Sequence, residues 1–92
     1  MKNIRKTIKA IANRRRIKML EKEYRSFNRL LIASYRRLGE LNHQYAYAAS
    51  AGGYYALDLN YLDGDITRVN ETIHELKENI KNLTARLAAL RA

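Results

Sequence analysis

The stretch ITRVNETIHELKENIKNLTARLAAL constrains the fold more than any other part of the chain. Ile66, Ile73, Ile80 and Leu87 recur every seven residues, and Val69, Leu76, Leu83 and Leu90 repeat the series three places later. No polar residue interrupts either series, which is the pattern of a helix that turns one apolar seam toward a partner helix. At 1.5 Å per residue the segment makes a helix ~40 Å long. Asp65 is placed to cap it, Glu71 lies near its start, and Arg86 and Arg91 lie near its end, as the helix dipole favours. Such a helix does not stand alone. Burying eight aliphatic side chains contributes roughly 12–24 kcal/mol gross, whereas ordering about 26 residues costs roughly 40 kcal/mol before backbone hydrogen bonds are counted.

Two partners are open to it. A parallel copy is poorly specified, because Asn70, Thr72, Lys77, Asn79, Thr84, Arg86 and Arg91 flank the seam and offer a copy no opposite-charge pairs. Upstream, Leu20, Tyr24, Phe27, Leu31, Leu38, Leu41 and Tyr45 recur at three- and four-residue steps and place a second seam on a helix over about residues 17–49. The expected fold is therefore all-α, an antiparallel helical hairpin or coiled coil over residues 17–92. A chain of 92 residues makes one small domain with a thin core. Two hairpins joined by their seams would form a four-helix dimer, or a higher oligomer.

The connection between the helices is less regular. The chain has no proline, so Gly52-Gly53 and the turn signal Asp63-Gly64-Asp65 are its main breakers. They bound a connector over about residues 50–64, followed by the heptad helix over about 65–91. Within the connector Tyr55, Leu57, Leu59 and Tyr61 alternate with Ala56, Asp58 and Asn60, which is a strand period. A lone strand would have to pair with its copy, and a short helix is the other reading.

The N-terminal segment carries its apolar residues out of phase with the rest. On a wheel of ~100° per residue, Ile4, Ile8 and Ile11 cluster near ~45°, and the seam from Leu20 to Tyr45 clusters near ~200°. In one unbroken helix the two stripes would face nearly opposite ways. A break near Asn13, a good cap residue, is the simpler expectation, leaving residues 1–16 as a separate basic amphipathic helix.

Charge is distributed as unevenly as apolarity. The net charge of +9 conceals thirteen Lys or Arg against two acids over residues 1–37, and five against seven over residues 38–92. Such asymmetry speaks to partners rather than fold. Lys18, Lys22, Arg25, Arg29 and Arg36 lie in a narrow band opposite the seam, a basic ridge down the long helix. Arg14, Arg15 and Arg16 sweep roughly 200° of a helical wheel, which suits an exposed junction able to wrap a phosphate backbone. A merely solvated face would interleave acids at i to i+4; within residues 1–37 only Glu21 with Arg25 has that spacing. These eight residues are the candidate nucleic-acid-binding set. They lack zinc-finger spacing, an RNP aromatic motif or a helix-turn-helix, so contact should be to the backbone with low sequence specificity. The alternative partner is an acidic protein, with the chain as a small phage-type adaptor, virion component or inhibitor acting on a nucleic-acid-processing machine.

The remaining constellations point to no chemistry. Tyr45, Tyr47, Tyr54, Tyr55 and Tyr61 crowd one end of the hairpin, where they serve better as a cap than as a base-stacking platform. His43 and His74 lie on outer faces without metal-ligand spacing. Asp58, Asp63 and Asp65 miss the calcium-loop pattern, and Gly52-Gly53 lacks the Lys-Ser/Thr of a phosphate loop. No nucleophile–base pair or carboxylate dyad occurs, so no enzyme activity, metal or cofactor is expected. The absence of Cys excludes disulfides and fits a cytoplasmic, intracellular protein. A basic, acid-free start fits a transit peptide only loosely. A membrane is not an expected partner, since the stripe of Ile4, Ile8 and Ile11 is narrow and has no Trp or Phe beside it.

Overall fold

In the computed structural model, which describes residues 2–50 and 56–92, α1 runs over Lys2–Ser50 and α2 over Ala56–Arg91. The fold is all-helical, with two helices and no strand among the described residues. The long dimension is 77 Å and the other two are 16 and 14 Å. A 49-residue helix spans ~73 Å at 1.5 Å per residue, so α1 sets the length of the molecule.

Each helix holds to one seam. On α1 the half-buried and buried positions include 13, 17, 20, 24, 27, 31, 34, 38, 41 and 48, which with position 45 is an unbroken alternation of three- and four-residue steps; Glu21 and Asn28, also half-buried, flank it. On α2 they include 59, 62, 66, 69, 73, 76, 80, 83, 87 and 90, the same alternation. The fully packed members are Leu41 and Ala48 of α1 and Ile73, Leu76, Leu83 and Leu87 of α2. Arg91 donates to Glu21 at 2.7 Å, and the Lys77 ammonium sits 5.4 Å from the Tyr35 ring centroid. Tyr35 lies fourteen residues past Glu21, and Lys77 fourteen before Arg91, so both contacts belong to one register. Farther along, Gln44 and Ala48 share a groove with Asp58 and Leu62.

Three sequence expectations are corrected. The first is the break near Asn13 and the separate helix over residues 1–16: α1 is continuous through Asn13. A break there would leave new unpaired N–H and C=O groups and require a second nucleation, whereas extending an existing helix adds a hydrogen bond per residue. It would also gain nothing to pack on. In the register of the Glu21–Arg91 contact, α2 ends opposite the region of Arg16 to Glu21.

The second correction concerns residues 56–64: of the two readings, strand and short helix, the structure has helix, and it forms the opening turns of α2 rather than a connector. The Asp63-Gly64-Asp65 signal is overridden because Leu59 and Leu62 continue the heptad series of Ile66 and Val69 backward. Asp65 is accordingly not a cap; it pairs with Arg68 one turn on, and the Arg68 guanidinium lies over the open space beside Gly64. The residues of the connector expectation at 51–55, with Tyr54 and Tyr55, lie outside the described residues. The third concerns Glu21, whose spacing suits a pair with Arg25 within α1: it meets Arg91 of α2 instead. Glu21 flanks the seam and is half-buried, whereas Arg25 stands on the opposite, exposed side.

Candidate nucleic-acid interface

The continuity of α1 settles where its basic residues stand. With the seam facing α2, the positions farthest from it along α1 are 4, 8, 11, 15, 18, 22, 25, 29, 32 and 36, a straight line at three- and four-residue steps. Arg15, Lys18, Lys22, Arg25, Arg29 and Arg36 occupy that line and all are exposed. From Lys18 to Arg36 the ridge is ~27 Å long. Arg15 is thus part of the ridge itself, a placement that reading residues 14–16 as a junction missed. Arg14 and Arg16 stand to either side of it, also exposed, and Arg16 borders a groove with Met19, Leu20, Arg86 and Leu90.

None of these eight cations has a carboxylate partner among the described residues, where the ion pairs are Arg37 with Glu40 at 3.6 Å, Arg68 with Asp65, and Arg91 with Glu21. Unpaired cations at ~5 Å steps on a rigid helix make a line of positive potential. The guanidinium fork of Arg15, Arg25, Arg29 and Arg36 suits phosphate or carboxylate oxygens, and the ammonium of Lys18 and Lys22 acts as a point charge. One apolar residue stands on the line, Ile32, 61% exposed between Arg29 and Arg36.

The seam residues expected to hold an interface occupy the region between the helices. Leu41, Ile73, Leu76, Leu83 and Leu87 are buried; Leu20, Tyr24, Phe27, Leu31, Leu38, Ile66, Val69, Ile80 and Leu90 are half-buried. Ile17, Ser34, Ala48, Leu59 and Leu62 belong to the same seams. The small or polar side chains of Ser34 and Ala48 hid them from a search for large apolar residues, and the turn signal hid Leu59 and Leu62.

At the opposite end from the arginines, Tyr47 and Tyr61, 71% and 75% exposed, rim an apolar groove of about 600 Å³ with His43, Ala48 and Leu62. These two tyrosines border the groove rather than cap the core. His74 is exposed beside Thr67, Asn70 and Glu71. Among the described residues no group of three His, Cys, Asp or Glu is placed to hold a metal ion, and no helix is long and apolar enough to cross a membrane.

Fold and face together define a class: a two-helix rod with apolar seams between its helices and a cationic ridge along the outside of one. No protein-family model, curated protein or solved structure matches the chain.

Proposed function

We propose that the protein is a small helical nucleic-acid-binding or architectural protein that holds phosphate backbone along the outer face of α1. The observation that carries this reading is the exposed line Arg15, Lys18, Lys22, Arg25, Arg29 and Arg36, without a carboxylate partner, on a helix kept straight by its seam. Arg14 and Arg16 widen the line at its start. Contacts of this kind neutralise phosphates and read no base edges, so affinity depends steeply on salt and little on sequence. The protein acts without catalysis and without a cofactor.

In this reading the folded unit is an antiparallel helical hairpin, supported by the shared register of the Glu21–Arg91 and Tyr35–Lys77 contacts. Two hairpins associate, because one hairpin leaves most of its seam half-buried and Met19, Leu30 and Tyr35 exposed beside it. Sedimentation at twice the chain mass supports the dimer; a concentration-independent monomer rejects it.

Fluorescence anisotropy with labelled duplex DNA, single-stranded DNA and RNA of unrelated sequences tests the binding. The expected result is binding at physiological salt with affinities that differ little between sequences, abolished when Arg14, Arg15 and Arg16 are changed to Glu. No binding at physiological salt rejects the reading.

A second reading is favoured by Ile32. An apolar side chain on the ridge adds nothing to phosphate contact, but it would add to contact with an acidic protein that carries an apolar spot. Binding to an acidic protein that the Ile32→Ser variant loses, in the absence of nucleic-acid binding, would establish that reading instead.

A further inference from the structure

The first three turns of α1 reverse the polarity of the rest of the helix. From Ile17 to Ala48 the seam residues face α2 and, apart from Ile32, the outer line is cationic or polar through Arg36. Over residues 4–12 the arrangement is opposite. Ile4, Ile8 and Ile11 are 64, 61 and 47% exposed on the outer face, while Arg5, Lys6 and Lys9 lie on the half of the helix that continues the seam. Lys6 falls on the seam line itself, at the step before Ala10 and Asn13, so a second copy extending that seam would bury a cation. No acid occurs between residues 2 and 20, so a copy's arm laid against this one meets only like charge.

The isoleucines and the ridge share one line on one straight helix. From Ile4 to Arg29 this line runs ~38 Å, apolar over its first third and cationic from Arg15 onward. A nucleic-acid duplex offers phosphates to the cations and no apolar surface to the isoleucines. A groove on a protein would take the short apolar tip, but not a straight face of this length. A flat surface that is anionic at the level of the ridge and apolar just beneath it satisfies both parts.

We infer that the outer face of α1 seats on an anionic phospholipid bilayer, with Ile4, Ile8 and Ile11 entering the acyl boundary and Arg15, Lys18, Lys22, Arg25 and Arg29 meeting headgroup phosphates. Three aliphatic side chains hold a membrane weakly by themselves, and a polybasic line supplies the second signal that stable interfacial attachment requires. Arg5 and Arg14 flank the isoleucines at about a quarter turn, where long side chains can reach headgroups from a helix lying in the interface. The inference rests on the ridge being an anion-binding face and adds a lipid surface to its partners.

The chain contains no Trp, so Ile8→Trp in the full-length protein is a single reporter on the tip. With vesicles of about 30% phosphatidylglycerol in phosphatidylcholine at physiological salt, its emission should shift to the blue and be quenched by brominated lipid. Pure phosphatidylcholine vesicles and saturating duplex DNA should leave it unshifted. The triple variant Ile4→Ser, Ile8→Ser, Ile11→Ser should bind the anionic vesicles at least ~tenfold more weakly in flotation and bind duplex DNA as the parent does. Emission that stays at the water-exposed wavelength on anionic vesicles overturns the inference, whether or not the protein floats. So does a blue shift present without vesicles and lost on dilution, which would mean that a second copy covers the tip. Loss of DNA binding with the vesicle shift intact would reject the nucleic-acid reading alone.

Discussion

Gly64 shows how far one residue can mislead and what overrules it. Flanked by Asp63 and Asp65 it carries a strong local turn signal, yet it lies in the third turn of α2. A glycine inside a helix costs about 0.5–1 kcal/mol relative to alanine. That cost is outweighed by the burial of Leu59 and Leu62, whose positions match Ile66 and Val69 one heptad on. The nearest atoms to a methyl group at residue 64 are the two terminal nitrogens of Arg68, at 3.9 and 4.0 Å, which is ordinary contact with a movable group. Gly64→Ala should therefore raise stability by about 0.5–1 kcal/mol, seen as a Tm increase of a few degrees by circular dichroism. If residues 63–65 formed a turn with a left-handed glycine, the same change would lower Tm. Other single residues matter less than their geometry suggests. The Glu21–Arg91 pair has a bonding distance of 2.7 Å, but its side chains are 38 and 55% exposed, and pairs of this kind contribute about 0–1 kcal/mol. Its value here is as a marker of register.

At the scale of the element, the heptad over residues 66–90 was legible because eight large aliphatic residues repeat without exception. The α1 seam was legible from Leu20 to Leu41 because large apolar residues recur there at three- and four-residue steps with one gap, at Ser34. The ends were not. The backward extension of α2 ran into a turn signal, and the out-of-phase isoleucines of α1 suggested a break that the helix does not make. Phase analysis assumes that an apolar stripe is buried, and the stripe of Ile4, Ile8 and Ile11 is not. An unbroken helix through residue 13 has a direct consequence. Proline at that position removes the hydrogen bond to the carbonyl of Lys9 and clashes with it. In Asn13→Pro the far-UV ellipticity should fall by about one part in seven, as the turns before it fray, while Tm stays nearly constant because α2 does not reach them. Unchanged ellipticity would mean that α1 already breaks there. The candidate site was legible as a set of residues and not as a shape. The ridge from Lys18 to Arg36 was assigned to the outer face correctly, but only continuity aligns Arg15 and the isoleucines with it.

The whole molecule is a narrow rod with a core too thin to be closed on all sides, and its two long faces differ in kind. Most seam positions on both helices are only half-buried, the feature on which the proposed dimer rests. The ridge on the outer side of α1 is cationic and has no carboxylate partner among the described residues. Seam and ridge share no residues, so under the proposed reading substitutions in one should leave the other's role intact. If the outer face of α1 contacts phosphates, as proposed, the salt dependence of binding must follow the ridge residues. Six contacts from Arg15, Lys18, Lys22, Arg25, Arg29 and Arg36 to duplex DNA give a slope of log affinity against log salt near about −5.4. Changing Lys22, Arg25 and Arg29 to Ala should bring the slope to about −2.7 without altering helicity. A slope unchanged by those three substitutions would place the phosphates elsewhere and contradict the account.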